Sequence, residues 1–247
     1  MIIKKVKDNL LHLNNLRKFL GYEAFRSAMD SEFKLEILKN PLKGKVLVIS
    51  PHPDDDIFGC GGTLKLHVNQ GDNIKIIYIT STPKREIEAQ KAAAKLGIND
   101  LGFWRYKDNQ ISANKTAINL LETVLNEFKP GIIYTPSFLD PNPDHFKTSR
   151  LLYNALHKHE FSGQIYSYEV WSPIYANRLI DIDKTIEVKK EALKKHASQL
   201  EDRNYLDAMT GLAQYRAGMF NAGKYAEGFF ACNKELYIKL FELLLKK

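Results

Sequence analysis

Cysteine is nearly absent: Cys60 and Cys232 are the two in 247 residues. Two thiols cannot build a disulfide framework, and they lack the paired spacing of a thiolate zinc site. Each reads as a small buried apolar residue. Long apolar runs are also missing. No stretch approaches the roughly 20 residues that cross a bilayer, and no signal-type apolar core follows the basic start of the chain, so a cytoplasmic protein is expected. Nor is there an aromatic-rich basic stripe. Net charge is +7, but the lysines and arginines are dispersed, which argues against a nucleic-acid platform. The charge fits at least as well a field that draws in an anionic small molecule. No repeat, low-complexity tract or linker divides the chain.

What is present is a rhythm of strands and helices. Residues 8–40 open with leucines at helical spacing (Leu10, Leu13, Leu16, Leu20) and read as a helical segment, residues 1–40, packed on a main domain of residues 41–247. The spacing predicts strands at Lys45–Ile49, Ile74–Ile79 and Gly131–Pro136. Helices are predicted at Gly61–Val68, Lys84–Leu96 (closed by Gly97), Asn119–Phe128, Glu187–Leu200 and Lys234–Lys247. This order implies an α/β fold, a single Rossmann-like domain whose mainly parallel sheet is flanked by helices.

Chemistry concentrates after two of the strands. Val46–Ser50 runs into Pro51-His52-Pro53-Asp54-Asp55-Asp56, and Ile132–Tyr134 runs into a loop ending Asn142-Pro143-Asp144-His145. Parallel strands deliver such loops to one sheet edge, where open α/β sheets place their sites. His52, Asp55 and His145 would then meet as two imidazoles and a carboxylate, a set suited to a catalytic zinc. Taken singly, each loop has a plainer reading, the first as a solvated acidic turn and the second as an N-cap by Asp144 for a helix starting near Phe146.

Pro51-His52-Pro53-Asp54-Asp55, Gly61-Gly62-Thr63-Leu64 and Pro143-Asp144-His145 together resemble the LmbE/PIG-L family of zinc-dependent de-N-acetylases. Arg85-x-x-Glu88, Ala92–Gly97, Lys129-Pro130, Tyr168–Trp171 and His196–Gln199 agree with it. The resemblance implies zinc held by His52, Asp55 and His145, Asp54 as general base, Arg85 as a substrate contact, and Asp144 orienting a histidine ring. It implies a hydrolase in which metal-activated water removes an N-acyl group, acetyl or formyl, from an amino sugar or its conjugate. The substrate would be a small N-acylated amino sugar, with an anionic conjugate compatible with the basic charge. A homo-oligomer is compatible with it too. Asp56 is assigned to the loop's own hydrogen bonding. Many relatives carry histidine where this chain has Asn142. Asn142 can donate a neutral hydrogen bond but carries no proton, and His196 is a candidate to compensate.

Two other readings stand beside this one. Carboxylate–histidine loops also serve metal-dependent phosphoester hydrolases, usually with a second metal about 4 Å away. Alternatively, Gly59-x-Gly61-Gly62 at a helix N-terminus would make a phosphate loop in a sugar- or nucleotide-binding module of weak activity.

Overall fold

The computed structural model describes residues 20–30, 34–201 and 203–245. One eight-stranded sheet has the order β1-β7-β8-β6-β5-β2-β3-β4. Its strands are β1 (Glu36–Leu38), β2 (Val46–Ser50), β3 (Ile74–Thr80), β4 (Asp100–Tyr106), β5 (Ile132–Pro136), β6 (Gln164–Tyr168), β7 (Arg178–Asp181) and β8 (Ala226–Cys232). Neighbours pair in parallel except where β8 runs against β6 and β7. This is the single α/β domain with a mostly parallel sheet that the strand–helix rhythm predicts.

Helices cover both faces, so the central strands are buried on both sides and read as unbroken apolar runs. In β2, Val46 and Val48 point to one core while Leu47 and Ile49 point to the other. The first core packs under α2 (Asp55–Asn69), α3 (Pro83–Leu96), α6 (Ile186–Leu193) and α8 (Tyr205–Phe220). The second lies under the helical residues 20–30 (α1), α4 (Lys115–Phe128), α5 (Pro143–Leu156) and α9 (Lys234–Leu245). A short helix α7 (Ala197–Leu200) follows α6. No described helix is long and apolar enough to cross a membrane.

Several expectations change. Within the segment read as helical, residues 20–30 are helix and Phe25 packs edge-on against Phe138, but residues 36–38 form β1, which joins the main sheet through β7. Leu10, Leu13 and Leu16 lie outside the described residues. Helix α2 starts at Asp55, six positions before the predicted Gly61, because the glycines are built into the helix: a Cβ on Gly62 would sit 2.8 Å from Ile182. The predicted helix Glu187–Leu200 breaks at residues 194–196 into α6 and α7. Cys60 and Cys232 are free and buried, as expected.

Candidate metal centre and active site

Strands β2 and β5 are immediate neighbours, registered Val46↔Ile132 through Val48↔Tyr134. Their carboxyl ends therefore open side by side, and both predicted loops arrive there. His52 and Asp55 come from the first and His145 from α5. One nitrogen from each ring and a carboxylate oxygen of Asp55 lie within 4.8 Å of one another, a set that could hold a metal ion.

Asp55 is the hub. Its Oδ2 lies 3.0 Å from His52 Nδ1 and 3.2 Å from His145 Nε2, and accepts the His52 backbone N–H at 3.0 Å. Both His145 nitrogens are buried, yet neither is aligned for a hydrogen bond. His52 hydrogen-bonds Asp55 while the buried His145 ring finds no aligned partner, and three ligand-type atoms converging in this way are an arrangement a cation fits. Each imidazole has a further carboxylate: Asp144 Oδ2 is 3.4 Å from His52 Nε2, and Asp140 Oδ2 is 3.2 Å from His145 Nδ1. Such outer carboxylates fix ring orientation and raise ligand basicity. Asp144 thus faces the histidine of the other loop rather than its own neighbour. Asp140, to which sequence reasoning gave no role although it lies in the same polar loop, stands against the His145 ring.

The electrostatics follow from this crowding. Burial alone would lower His52 and His145, but Asp55 and the outer carboxylates outweigh it and push the rings up to about 10 and about 9. Asp55, despite burial, is held well below the usual carboxylate range by the two rings. The cluster attracts positive charge.

Asp54 stands apart from the cluster. Its backbone, at φ 144° and ψ −31°, lies where side-chain-bearing residues rarely sit, a strained turn that separates its carboxylate from the neighbouring Asp55. Arg85 Nη2 donates to Asp54 Oδ1 at 2.9 Å and to the Pro53 carbonyl at 3.1 Å, while Nη1 reaches Asp108 at 3.4 Å. Burial and the charge of Asp55 outweigh Arg85 and push Asp54 up to about 7. Arg85 is presented by the first turn of α3, where Thr82 caps its backbone N–H.

Other site expectations need correction. Asp56 does not serve a loop: it lies in the first turn of α2, fully buried, and accepts from the Tyr78 hydroxyl at 3.0 Å. The cap of α5 is Asn142, whose Oδ1 accepts the Asp144 N–H at 2.9 Å, so the helix starts at Pro143 and the Asp144 carboxylate is left to face His52. Gly62 and Thr63 are no phosphate cradle, because their N–H groups already donate to the buried Glu227 carboxylate at 2.8 and 2.7 Å. His196 sits just before α7 with both ring nitrogens buried and unpartnered. Ser198 follows, bound through its N–H and hydroxyl to Glu88 of α3, one turn beyond Arg85.

The GlcNAc-PI de-N-acetylase family, PIG-L, matches residues 47–156. Residues 47–156 are a PIG-L family domain. That span contains β2 through α5 and hence His52, Asp54, Asp55, Arg85 and His145. Over 83% of this chain and 90% of the relative, the sequence is 25% identical to diacetylchitobiose deacetylase of Thermococcus kodakarensis. Among solved structures, N,N′-diacetylchitobiose deacetylase from Pyrococcus horikoshii superposes with a TM-score of 0.69 at 21% identity, over 87% of this chain and 94% of that one. The fold is also similar to that of GalB, a 4-carboxy-2-hydroxymuconate hydratase of Pseudomonas putida, with a TM-score of 0.67 at 23% identity over 76% and 95% of the two chains.

Proposed function

We propose that this protein is a zinc-dependent hydrolase that removes an N-acyl group, foremost acetyl, from an amino sugar or amino-sugar conjugate. One observation carries the reading: the convergence of His52, Asp55 and His145, with the separate carboxylate of Asp54 beside them. Two imidazoles and a carboxylate suit zinc and leave a coordination position free for substrate or water. The PIG-L match and the deacetylase relative support the amide as the bond cleaved.

When bound, zinc would supply a Lewis acid for the amide carbonyl and lower the pKa of a water molecule at the site. Asp54 acts as general base, accepting a proton from the attacking water and later delivering it to the departing amine nitrogen. Water and amide thereby become amine and carboxylate. A carboxylate pushed up to about 7 is matched to both halves of that task near neutral pH. Arg85 fixes the Asp54 carboxylate in place, and Asp140 and Asp144 hold the two rings in the orientation that presents Asp55 and the imidazoles to a common point. In this reading Arg85 is also a substrate contact, as the family resemblance implies.

The test is acetate release from a panel of N-acetylated amino sugars by zinc-loaded protein. Stoichiometric acetate and free amine support the reading, and an inert enzyme across a broad panel removes it. One zinc per chain distinguishes it from a two-metal phosphoester hydrolase.

A further inference from the structure

We propose that the outer face of α8, centred on Tyr215, is a docking surface for a second copy of this chain, the two helices lying antiparallel about a two-fold axis. The inference concerns assembly and stands independently of the deacetylase reading.

The face is unusual for a surface helix. The outer sides of α3, α4, α5, α6 and α9 all present charge to solvent, through Lys91, Lys115, Arg150, Lys194 and Lys239 among others. Between residues 208 and 219 the exposed arc of α8 has none: it consists of Ala208, Gly211, Gln214, Tyr215, Gly218 and Met219. Arg216, the one ionisable residue of that stretch, is buried, pairs with Glu169 and donates to the Ile174 carbonyl at 2.6 Å. That bond ties α8 to residues 170–177, a segment that is itself uncharged. Tyr215 is 53% exposed and Met219 61%. Aromatic and methionine side chains without charge are the composition of an interface core.

Two glycines on the same arc add to this. Glycine weakens a helix interior, and a Cβ on Gly211 or Gly218 would meet nothing within 4 Å among the described residues. Packing within one chain therefore gives no reason for either. A second backbone laid close along the helix does, with each Tyr215 ring seated over a glycine of the other copy.

Charge selects a second copy as the occupant. A chain of net charge +7 repels its own copies, and a face without lysine is where two of them close with least repulsion. The ends of the helix are complementary. Asp207 is exposed in its first turn, and Lys224 is exposed just past its carboxyl cap. They stand eight and nine residues to either side of Tyr215, so antiparallel copies set each Asp207 against Lys224 of the other and oppose the helix dipoles. The next charges outward, Arg203 at the amino end and Asp183 beside Lys224, are also opposite in sign. Area agrees with a weak dimer. Twelve residues of helix span about 18 Å, and with the uncharged flank they offer roughly 500 Å² per copy, at the lower bound for a specific pair.

Sedimentation of the full chain across the micromolar range should carry the mass from 28.3 kDa to twice that value as concentration rises. Tyr215→Lys should raise the dissociation constant at least about thirtyfold, because each dimer loses two aromatic anchors. Leu120→Lys on α4, which replaces another exposed apolar side chain, should leave it unchanged. Asp207→Lys should weaken pairing several-fold, and Asp207→Lys with Lys224→Asp should restore it. Gly218→Ala separates the interface from the fold: it should raise the urea midpoint of the dilute monomer and still weaken the dimer. A mass of 28.3 kDa at every concentration would overturn the proposal. So would an assembly that survives Tyr215→Lys with its affinity intact. A double charge exchange that fails to restore pairing would overturn the antiparallel order. Acetate release plays no part in these readouts, so they fail or succeed apart from the deacetylase assignment.

Discussion

Arg85 donates to the carboxylate of Asp54 at 2.9 Å, joining the first turn of α3 to the strained turn that follows β2. A residue that the family resemblance implies is a substrate contact therefore also orients the carboxylate proposed as general base. If so, Asp54→Asn should lower kcat by about 100- to 10,000-fold, the range for losing a positioned acid–base group, while zinc binding persists. Arg85→Gln should lower kcat less and shift the pH profile. Metal titration beside kcat measurements checks both, and loss of zinc in Asp54→Asn would make Asp54 a ligand instead.

Metal affinity should depend on loops far apart in the chain. Zinc is expected near one equivalent per chain in the wild type, and His145→Ala should weaken it by more than about 100-fold. Asp140→Asn, which leaves every ligand in place, should cost roughly 10- to 100-fold. Equilibrium dialysis reads both, and an unchanged affinity in His145→Ala would dissolve the site.

The buried pair Lys189–Glu227 has a sharper energetic signature. Lys189 Nζ lies 2.5 Å from Glu227 and donates to the Phe58 carbonyl at 2.8 Å, while Glu227 holds two backbone N–H groups of α2. Glu227→Gln strands a buried ammonium and should cost about 3–5 kcal/mol. Adding Lys189→Met should recover a measurable part of that loss in urea denaturation, since the unpaired charge is what costs most.

Gly62→Ala tests close packing in the same helix. Alanine favours a helix interior by about 1 kcal/mol over glycine. The new methyl would stand 2.8 Å from Ile182, which is fully buried, and overpacking typically costs about 1–3 kcal/mol. The clash should win, giving net destabilisation, with Ile182→Val restoring part of it.

His196 predicts a pH dependence. Burial, with the positive charge of Arg85, pushes the ring down to about 4 from 6.5. Between those values the unfolded chain binds a proton that the folded chain refuses, so this group makes stability rise with pH from about 4 to 6.5. The full contribution, on the order of 3 kcal/mol, is lost below about pH 4. The difference between wild-type and His196→Gln unfolding profiles isolates it from the carboxylates, and parallel profiles would refute it.

The strands that carry the site were legible because burial on two faces writes itself as β-branched runs: Val46–Ile49, Ile74–Ile79 and Ile132–Tyr134 could be little else. The ligands followed, since two polar loops after parallel strands share one edge. β1, β4, β6, β7 and β8 were not legible. β4 is a half-buried edge strand containing Gly102 and Arg105, and β8 interrupts its apolar residues with Glu227 and Gly228, whose reasons are tertiary. Asp140, Lys189 and Arg216 are ordinary charged residues in sequence. Only the fold shows that each is buried against a partner from another element.

The pairing of β2 with β5 places β3, α3, β4 and α4 between the two halves of the metal centre. A ribosome therefore releases His52 and Asp55 roughly 90 residues before it releases His145, and the candidate ligand set is complete only once that later strand has docked. Cutting the chain in the connection between β4 and α4 would leave two ligands on one fragment and one on the other. Tight metal capture by the mixed fragments would then be a direct optical or calorimetric signal that the central sheet has reassembled.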